Sequence, residues 1–161
     1  MNKLKWMVAV FLVFLSTAFV DKNAKPGEGL SEGSSAPSIC FDNFNLEAYK
    51  GRKVLITFWA AYDAQSRVEN SLLAASVGKN PGEIELVSFA FDESPMIFEE
   101  TVRIDHLDRN TQYHVRDGDT SEIFRAYRLK DGFANYLINE DGVIIAKNLD
   151  PKKLRELMSM N

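Results

Sequence analysis

The apolar run at residues 54–60 constrains the fold of this chain more than any other segment. Its sequence, VLITFWA, is apolar on both faces of a strand. A strand with one solvated face alternates apolar and polar residues, so a run of this kind has to be covered on both sides. The run therefore predicts a central strand in a sheet with helices on each face.

The segments after this strand alternate between helix and strand. Residues 64–77 predict a helix ending before Gly78, with Val68, Leu72, Leu73 and Ala75 near one face. A second buried strand is predicted at 84–91. A helix that carries apolar residues is predicted from Pro95, and a further helix at 120–127. The apolar residues of the Pro95 helix are Ile97, Phe98 and Val102. Such alternation is typical of a parallel sheet.

The end of the chain indicates antiparallel strands. Residues 136–138 and 143–146 flank an Asp-Gly pair suited to a tight hairpin, and Asp150 with Pro151 favours the start of a last helix. A short strand is also possible at 38–41. The fold class predicted from these elements is α/β, with a central mixed β-sheet flanked by helices.

The first residues differ in kind from the rest. Lys3 and Lys5 precede an apolar run, and small residues follow at 16–18, which is typical of a signal peptide. We predict a signal peptide at 1–18, with an end at residue 20 or an uncleaved anchor as the alternatives. Residues 19–35 are rich in Gly, Ser, Lys and Glu and predict a flexible linker, leaving one domain at 36–161. The domain is expected to be exported, and to meet a membrane only through an uncleaved N-terminal segment.

Charge and cysteine content narrow the function classes. The formal net charge is -4, so no basic face is available for nucleic acid. Cys40 is the one cysteine and cannot close an intramolecular disulfide. It falls in the predicted strand 38–41, where a half-buried structural role is expected.

Neither a metal site nor a serine hydrolase is indicated. His106 and His114, with Asp105 and Asp108, match no compact metal-ligand spacing. Ser66 stands in no Gly-x-Ser-x-Gly elbow, and nothing places a histidine beside it. We expect no metal and no cofactor.

Residues 58–67, FWAAYDAQSR, resemble the thioredoxin-like thiol-disulfide oxidoreductases of the bacterial envelope, the TlpA/ResA and AhpC/TSA-like group. Those proteins carry Phe-Trp-Ala-x-Trp-Cys-x-x-Cys-Arg at this point. Further matches in the same order extend the resemblance over residues 36–158: YKGRK at 49–53, Tyr127-x-Leu129, and YLIN-x-DG at 136–142. The resemblance implies a thioredoxin-like fold and a location in the periplasm or cell envelope of a bacterium.

The resemblance also places three replaced positions. Asp63 stands at the attacking cysteine, Ser66 at the resolving cysteine and Phe133 at the cis-proline. Disulfide exchange needs a thiolate and a second thiol, which a carboxylate and a hydroxyl do not replace. A non-proline residue favours a trans bond, expected here before Phe133. The chain is therefore predicted to be redox-inactive.

The residues that occupy these positions suggest a binding surface. Asp63 is expected to be the N-cap of the helix at 64–77, because unpaired amides there favour a carboxylate. Tyr62, Asp63 and Phe133 are expected to form one surface that binds a peptide or protein of the cell envelope, whose identity the sequence leaves open. The alternatives are an oxidoreductase or peroxidase-like enzyme working through Cys40 or a partner's cysteine, and an accessory domain of an envelope assembly.

Overall fold

A computed structural model describes residues 26–159 as a sheet covered by helices. The elements follow the predicted alternation of strand and helix and then the antiparallel ending. In chain order they are β1 (Cys40–Phe41), β2 (Phe44–Asn45), β3 (Val54–Trp59), α1 (Ala64–Val77), β4 (Glu85–Ala90), α2 (Pro95–Ile104), β5 (Gln112–His114), α3 (Glu122–Ala126), β6 (Asn135–Ile138), β7 (Ile144–Lys147) and α4 (Pro151–Ser159).

The main sheet has the strand order β5-β4-β3-β6-β7. Strands β3, β4 and β5 are parallel, whereas β6 runs antiparallel to both β3 and β7. Every residue of β3 is buried, as its apolar sequence predicts. The predicted α/β class with a central mixed sheet is confirmed.

The two faces of β3 pack against different surroundings. Val54, Ile56 and Phe58 face a large apolar cluster that contains β1, β2 and α3. The ring of Phe58 lies 4.7 Å from that of Tyr127 between centroids. On the other face, Leu55 packs with apolar residues of α1 and α4, and Trp59 packs with Phe98 and Val102 of α2.

Helix α1 has the predicted bounds and buries Leu73 as predicted, but the other three residues of its predicted apolar face are exposed. Val68 and Leu72 are 57% and 51% exposed, and Ala75 is exposed as well. The buried face instead carries Ser66, Asn70, Leu73, Ser76 and Val77. Asn70 fits because Thr57 and Ser88 of the sheet beneath the helix are hydrogen-bonded to it. Ser66 and Ser76 instead donate to backbone carbonyls.

Helix α2 buries two of the three apolar residues that it was predicted to carry. Phe98 and Val102 are buried, whereas Ile97 is 52% exposed and Thr101 is buried. Residues 98, 101, 102 and 105 lie on one side of a helix, and residue 97 lies outside that stripe.

The end of the predicted linker is part of the folded unit. Gly33 donates a backbone hydrogen bond to Ile144 O (2.8 Å), and Ile144 donates to Ser34 O (2.9 Å). Ala36 donates to Gly142 O (3.0 Å). Because β7 is an edge strand, its free backbone groups can bind this segment. Leu30 and Ala36 also pack against the large apolar cluster. The folded unit thus begins before residue 36; the predicted signal peptide and residues 19–25 lie outside the described residues.

Cys40 is exposed rather than half-buried. Pro37 and Ile39 are buried while Ser38 and Cys40 are exposed, so side chains alternate along the extended chain. The inward position belongs to Ile39. Cys40 lines a surface cavity with residues of α3, including Glu122 and Ala126.

Between residues 26 and 159, no helix is both long enough and apolar enough to cross a membrane.

Candidate functional site

The candidate site lies where β3 and β4 end and the chain turns toward α1 and α2. Residues 60–63 connect β3 to α1, and the side chain of Tyr62 is 72% exposed at the tip of this connection. The backbone of Asp63 donates to Ala60 O at 3.1 Å, which closes the connection into a tight turn. Tyr62 is therefore exposed to solvent on a turn that a backbone hydrogen bond closes.

Asp63 is the N-cap of α1. Its backbone is extended, with φ -99° and ψ 98°, and its Oδ1 accepts a hydrogen bond from the amide of Ser66 at 2.8 Å. The first amides of a helix have no intrahelical acceptor, so a carboxylate there satisfies one of them and meets the positive end of the helix dipole. The expected capping role is confirmed.

Ser66 is buried and its hydroxyl is already bonded. Its Oγ accepts from the amide of Ala60 at 3.3 Å and donates to the carbonyl of Asp63 at 3.2 Å. Only 6% of the residue is exposed. In the part of the chain that the structure describes, no histidine is hydrogen-bonded to Ser66, so the hydroxyl has no adjacent base to activate it.

Phe133 lies beside Tyr62, as predicted. The two ring centroids are 6.4 Å apart with an interplanar angle of 55°. On its other side Phe133 stacks on Phe91, with centroids 5.7 Å apart. The peptide bond before Phe133 is trans, as expected for a residue other than proline.

Next to these rings, the backbone of Phe133 is free of hydrogen bonds to the described part of the chain. The neighbouring carbonyl of Ala134 accepts from the amide of Phe58 at 3.1 Å, which is where the pairing of β3 with the β6 chain ends. Within residues 26–159, neither the N–H nor the C=O of Phe133 has a hydrogen-bond partner. An extended peptide laid along this loop could supply both.

Asp92 is a site residue that the sequence analysis missed. It follows β4 by two positions and is only 2% exposed. Its Oδ1 accepts from the amide of Ala61 at 2.8 Å, directly before Tyr62. Its Oδ2 is buried and has no hydrogen-bond partner among the described residues. The available signal was an aspartate at the carboxyl end of a buried parallel strand, where ligand sites of α/β sheets gather.

Burial raises the pKa of Asp92, because the ionised carboxylate is desolvated. The hydrogen bond from Ala61 and the nearby His114 and Arg67 act in the opposite direction and only partly offset the desolvation. Arg67 is itself bound to Asp105 through two hydrogen bonds of 2.6 and 2.7 Å.

The electrostatic surroundings of Tyr62 are acidic. Partial burial raises the pKa of its hydroxyl, and negative charges raise it further. The contributing carboxylates, in order of their effect, are Asp92, Asp63, Asp119 and Glu93.

The two histidines lie apart from residues 63–66, which stand where the resembled family has its two redox cysteines. His114 Nε2 lies 2.6 Å from the carbonyl oxygen of Asp92, and its ring stacks on Phe98 with centroids 4.9 Å apart. His106 follows α2 in a left-handed conformation, with φ 53°. Across residues 26–159, no three His, Cys, Asp or Glu side chains are grouped so that they could hold a metal ion.

Several solved structures resemble this chain. A thioredoxin-like protein from Parabacteroides distasonis is 46% identical with a TM-score of 0.78, over 84% of this chain and 99% of that protein. A domain from Bacteroides thetaiotaomicron, the C-terminal part of a protein named as a thiol-disulfide oxidoreductase, is 27% identical with a TM-score of 0.69, over 81% and 95% of the two chains. The thioredoxin domain of a thiol-disulfide oxidoreductase from Bacteroides vulgatus is 22% identical with a TM-score of 0.68, over 82% and 98%, and shows the fold alone.

No protein-family model and no curated protein matches the chain.

Proposed function

The chain belongs to the thioredoxin-like family, and from that premise we propose that it binds an extended peptide of another protein at Tyr62 and Phe133 without exchanging disulfides. The resemblance in residues 58–67 that predicted the family is confirmed, as is the absence of both cysteines from the motif. Fold alone does not assign an activity, so the proposal is argued from the site.

Redox inactivity follows from the groups at the helix start. A disulfide exchange cycle needs one thiolate to attack and a second thiol to release the mixed disulfide. Asp63 and Ser66 hold those positions, and both are engaged in hydrogen bonds that cap α1. Cys40 lies on β1 of the small two-stranded sheet and has no second cysteine in the chain to resolve an intermediate.

The observation that carries the binding proposal is that the exposed ring of Tyr62 lies beside Phe133, whose backbone N–H and C=O have no partner within residues 26–159. Tyr62 is 72% exposed yet held 6.4 Å from Phe133. The free N–H and C=O of Phe133 can pair with a strand-like peptide, which provides affinity without a deep pocket. A fixed aromatic pair contributes apolar contact at little entropic cost, since the rings are already positioned.

We place the domain outside the cytoplasmic membrane of a bacterium. The support is the signal-peptide pattern of residues 1–18, together with the bacterial sources of the similar structures. A peptide segment of an envelope protein is the corresponding partner.

The test is affinity capture of envelope proteins on the immobilised full-length chain and on variants of it. Tyr62→Ala and Phe133→Ala are each expected to weaken capture of the same retained protein by about 1 to 3 kcal/mol, roughly 5- to 150-fold in affinity. Leu72→Ala is the matched control, because Leu72 is also an exposed apolar residue but lies on α1 away from the turn. Circular dichroism would verify that each variant is folded.

Unchanged capture by both folded aromatic variants would contradict the proposal. The binding surface would then lie elsewhere, and the domain would be better explained as an accessory part of an envelope assembly.

A further inference from the structure

We infer that the peptide bound at Tyr62 and Phe133 is cationic, with lysine or arginine side chains lying against Tyr62. This inference rests on the proposed peptide binding and adds the chemical class of the partner. It is carried by the arrangement of carboxylates around the turn, by the buried and incompletely bonded Asp92, and by the exposed ring of Tyr62.

Carboxylates approach the Tyr62 turn from three parts of the chain. Asp63 is the next residue and caps α1. Asp92 is bonded to the amide of Ala61 from beneath, and Glu93 follows it as an exposed residue before α2. Asp119 is exposed in the turn before α3, and α3 reaches the site because Phe124 contacts Phe91, on which Phe133 stacks.

Two of the neighbouring cations, Arg67 and Arg125, are already hydrogen-bonded. Arg67 is bound to Asp105 by two hydrogen bonds. Arg125 donates to the carbonyl of Thr120 at 2.6 Å. Arg128 and Lys147 line a cavity with Phe133, and the carboxylates Glu28 and Asp131 line the same cavity. Lys130, on the loop before Phe133, is exposed.

Asp92 is an independent indication that a hydrogen-bond donor is missing at this surface, because one oxygen of its buried carboxylate is unpartnered among residues 26–159. It is 2% exposed, and among residues 26–159 its Oδ2 has no hydrogen-bond partner. A carboxylate beneath the surface is less screened by water than one in solution, so its field extends further. Its Oδ1 is bonded to Ala61, so the charge lies beneath the loop on which a peptide would rest.

Tyr62 and Phe133 fit the rest of a basic side chain. A lysine or arginine can place its charged end over the face of an exposed tyrosine ring, within the field of the carboxylates. Its aliphatic part can pack along Phe133, leaving the charged end in water. An extended peptide presents every second side chain to the same face, so alternate basic residues match a strand paired with the Phe133 backbone.

The test uses three labelled ten-residue peptides in which threonine alternates with lysine, with glutamate or with serine. Fluorescence anisotropy with the full-length chain is expected to show the lysine peptide binding at least about tenfold tighter than the serine peptide, with the glutamate peptide weakest. Raising the salt from about 0.05 M to about 0.3 M is expected to reduce the advantage of the lysine peptide, because it screens exposed charges.

Charge reversal separates a local effect from net charge. The double variant E93K/D119K is expected to abolish the preference for lysine. The control E83K/E140K makes the same change in net charge at the opposite end of the sheet, where β3 begins, and is expected to keep the preference. Loss of the preference in both doubles would show attraction by net charge and overturn the inference. Should E93K/D119K fail to fold, the single change Glu93→Gln is expected to reduce the preference, and an unchanged preference there would overturn it.

The outcomes also separate this inference from the proposal on which it depends. If the lysine peptide binds no better than the serine peptide while Tyr62→Ala still weakens capture from the envelope, the partner is not cationic and the binding surface stands. If Tyr62→Ala and Phe133→Ala change neither capture nor peptide affinity, both statements fail.

Discussion

Two regions of the molecule bury polar side chains in opposite ways. The first, here called the Thr57 network, consists of Thr57, Asn70, Ser88 and Gln112, each at most 2% exposed. Thr57 Oγ1 lies 2.7 Å from both Asn70 Oδ1 and Ser88 Oγ, and Asn70 Nδ2 donates to Gln112 Oε1 at 3.4 Å. The second is the site floor at Asp92, where one buried oxygen is unpartnered among the described residues.

This difference distinguishes polar groups that stabilise the fold, in the Thr57 network, from a polar group of the candidate site, Asp92. Satisfied buried groups hold α1 to the sheet, since removing one leaves its partners unbonded. An unpartnered buried carboxylate oxygen destabilises the fold, and such a group is commonly retained near functional sites. The Thr57 network joins Asn70 of α1 to side chains of β3, β4 and β5. Asp92 lies beside the carboxyl end of β3, next to the exposed Tyr62.

The largest effect is expected when the Thr57 network is broken. Asn70→Ala removes the acceptor that Thr57 and Ser88 share and should lower the free energy of unfolding by about 2 to 3 kcal/mol in urea denaturation. Val68→Ala, at an exposed position of the same helix, should stay within about 0.5 kcal/mol. Equal losses in the two variants would remove the distinction between the network and the rest of α1.

The next effect is a change in how stability depends on pH, measured with Asp92→Asn. Because burial raises the pKa of Asp92, the folded state binds the proton more tightly than the unfolded state. This carboxyl therefore favours folding most below its unfolded pKa of about 4, and that contribution is lost as pH rises through the higher folded value. The stability of Asp92→Asn relative to the unmodified chain should consequently rise between about pH 4 and pH 8.

Glu140→Gln is the control for the Asp92 prediction, since Glu140 is exposed at the hairpin turn. A constant stability difference between Asp92→Asn and the unmodified chain across this pH range would show that Asp92 is not a desolvated carboxyl. The buried carboxyl of Asp92 would then be satisfied, like the polar groups of the Thr57 network.

A smaller effect is expected at the helix cap. Asp63→Ala removes the acceptor of the Ser66 amide and should cost about 1 kcal/mol in thermal or urea unfolding. Asp63→Asn keeps an oxygen acceptor and should be close to neutral. If alanine stabilised the protein instead, Asp63 would belong with Asp92 as a strained carboxylate of the site.

The smallest effect is expected at Cys40, which lies outside both regions. Cys40→Ser should change stability by less than about 0.5 kcal/mol, because the side chain is exposed, and should leave peptide capture unchanged. The unmodified chain should neither accelerate insulin reduction by dithiothreitol nor consume peroxide. Catalytic peroxide turnover or insulin reduction that disappears in Cys40→Ser would support an enzyme working through this thiol.

Local pattern determined much of the fold. The apolar run at 54–60 and the strand at 84–91 correspond to β3 and β4. Helix α1 has the predicted bounds, 64–77, because a capping residue and a glycine mark its ends. The adjacency of Tyr62 and Phe133 also followed from the sequence, but through the resemblance of residues 58–67 to a known family.

Tertiary structure decided which side chains are buried and which groups remain unpaired. Periodicity favoured Val68 and Leu72 as the inner face of α1, yet polar partners on β3 and β4 draw Asn70 inward. The bonding of residues 33–36 to the hairpin depends on a free edge of β7. Asp92 is identified as a site residue only in the folded chain, where it follows β4 and accepts a hydrogen bond from the Ala61 amide. Sequence determined the elements because their signals are local, whereas burial and hydrogen-bond satisfaction depend on residues distant in the chain.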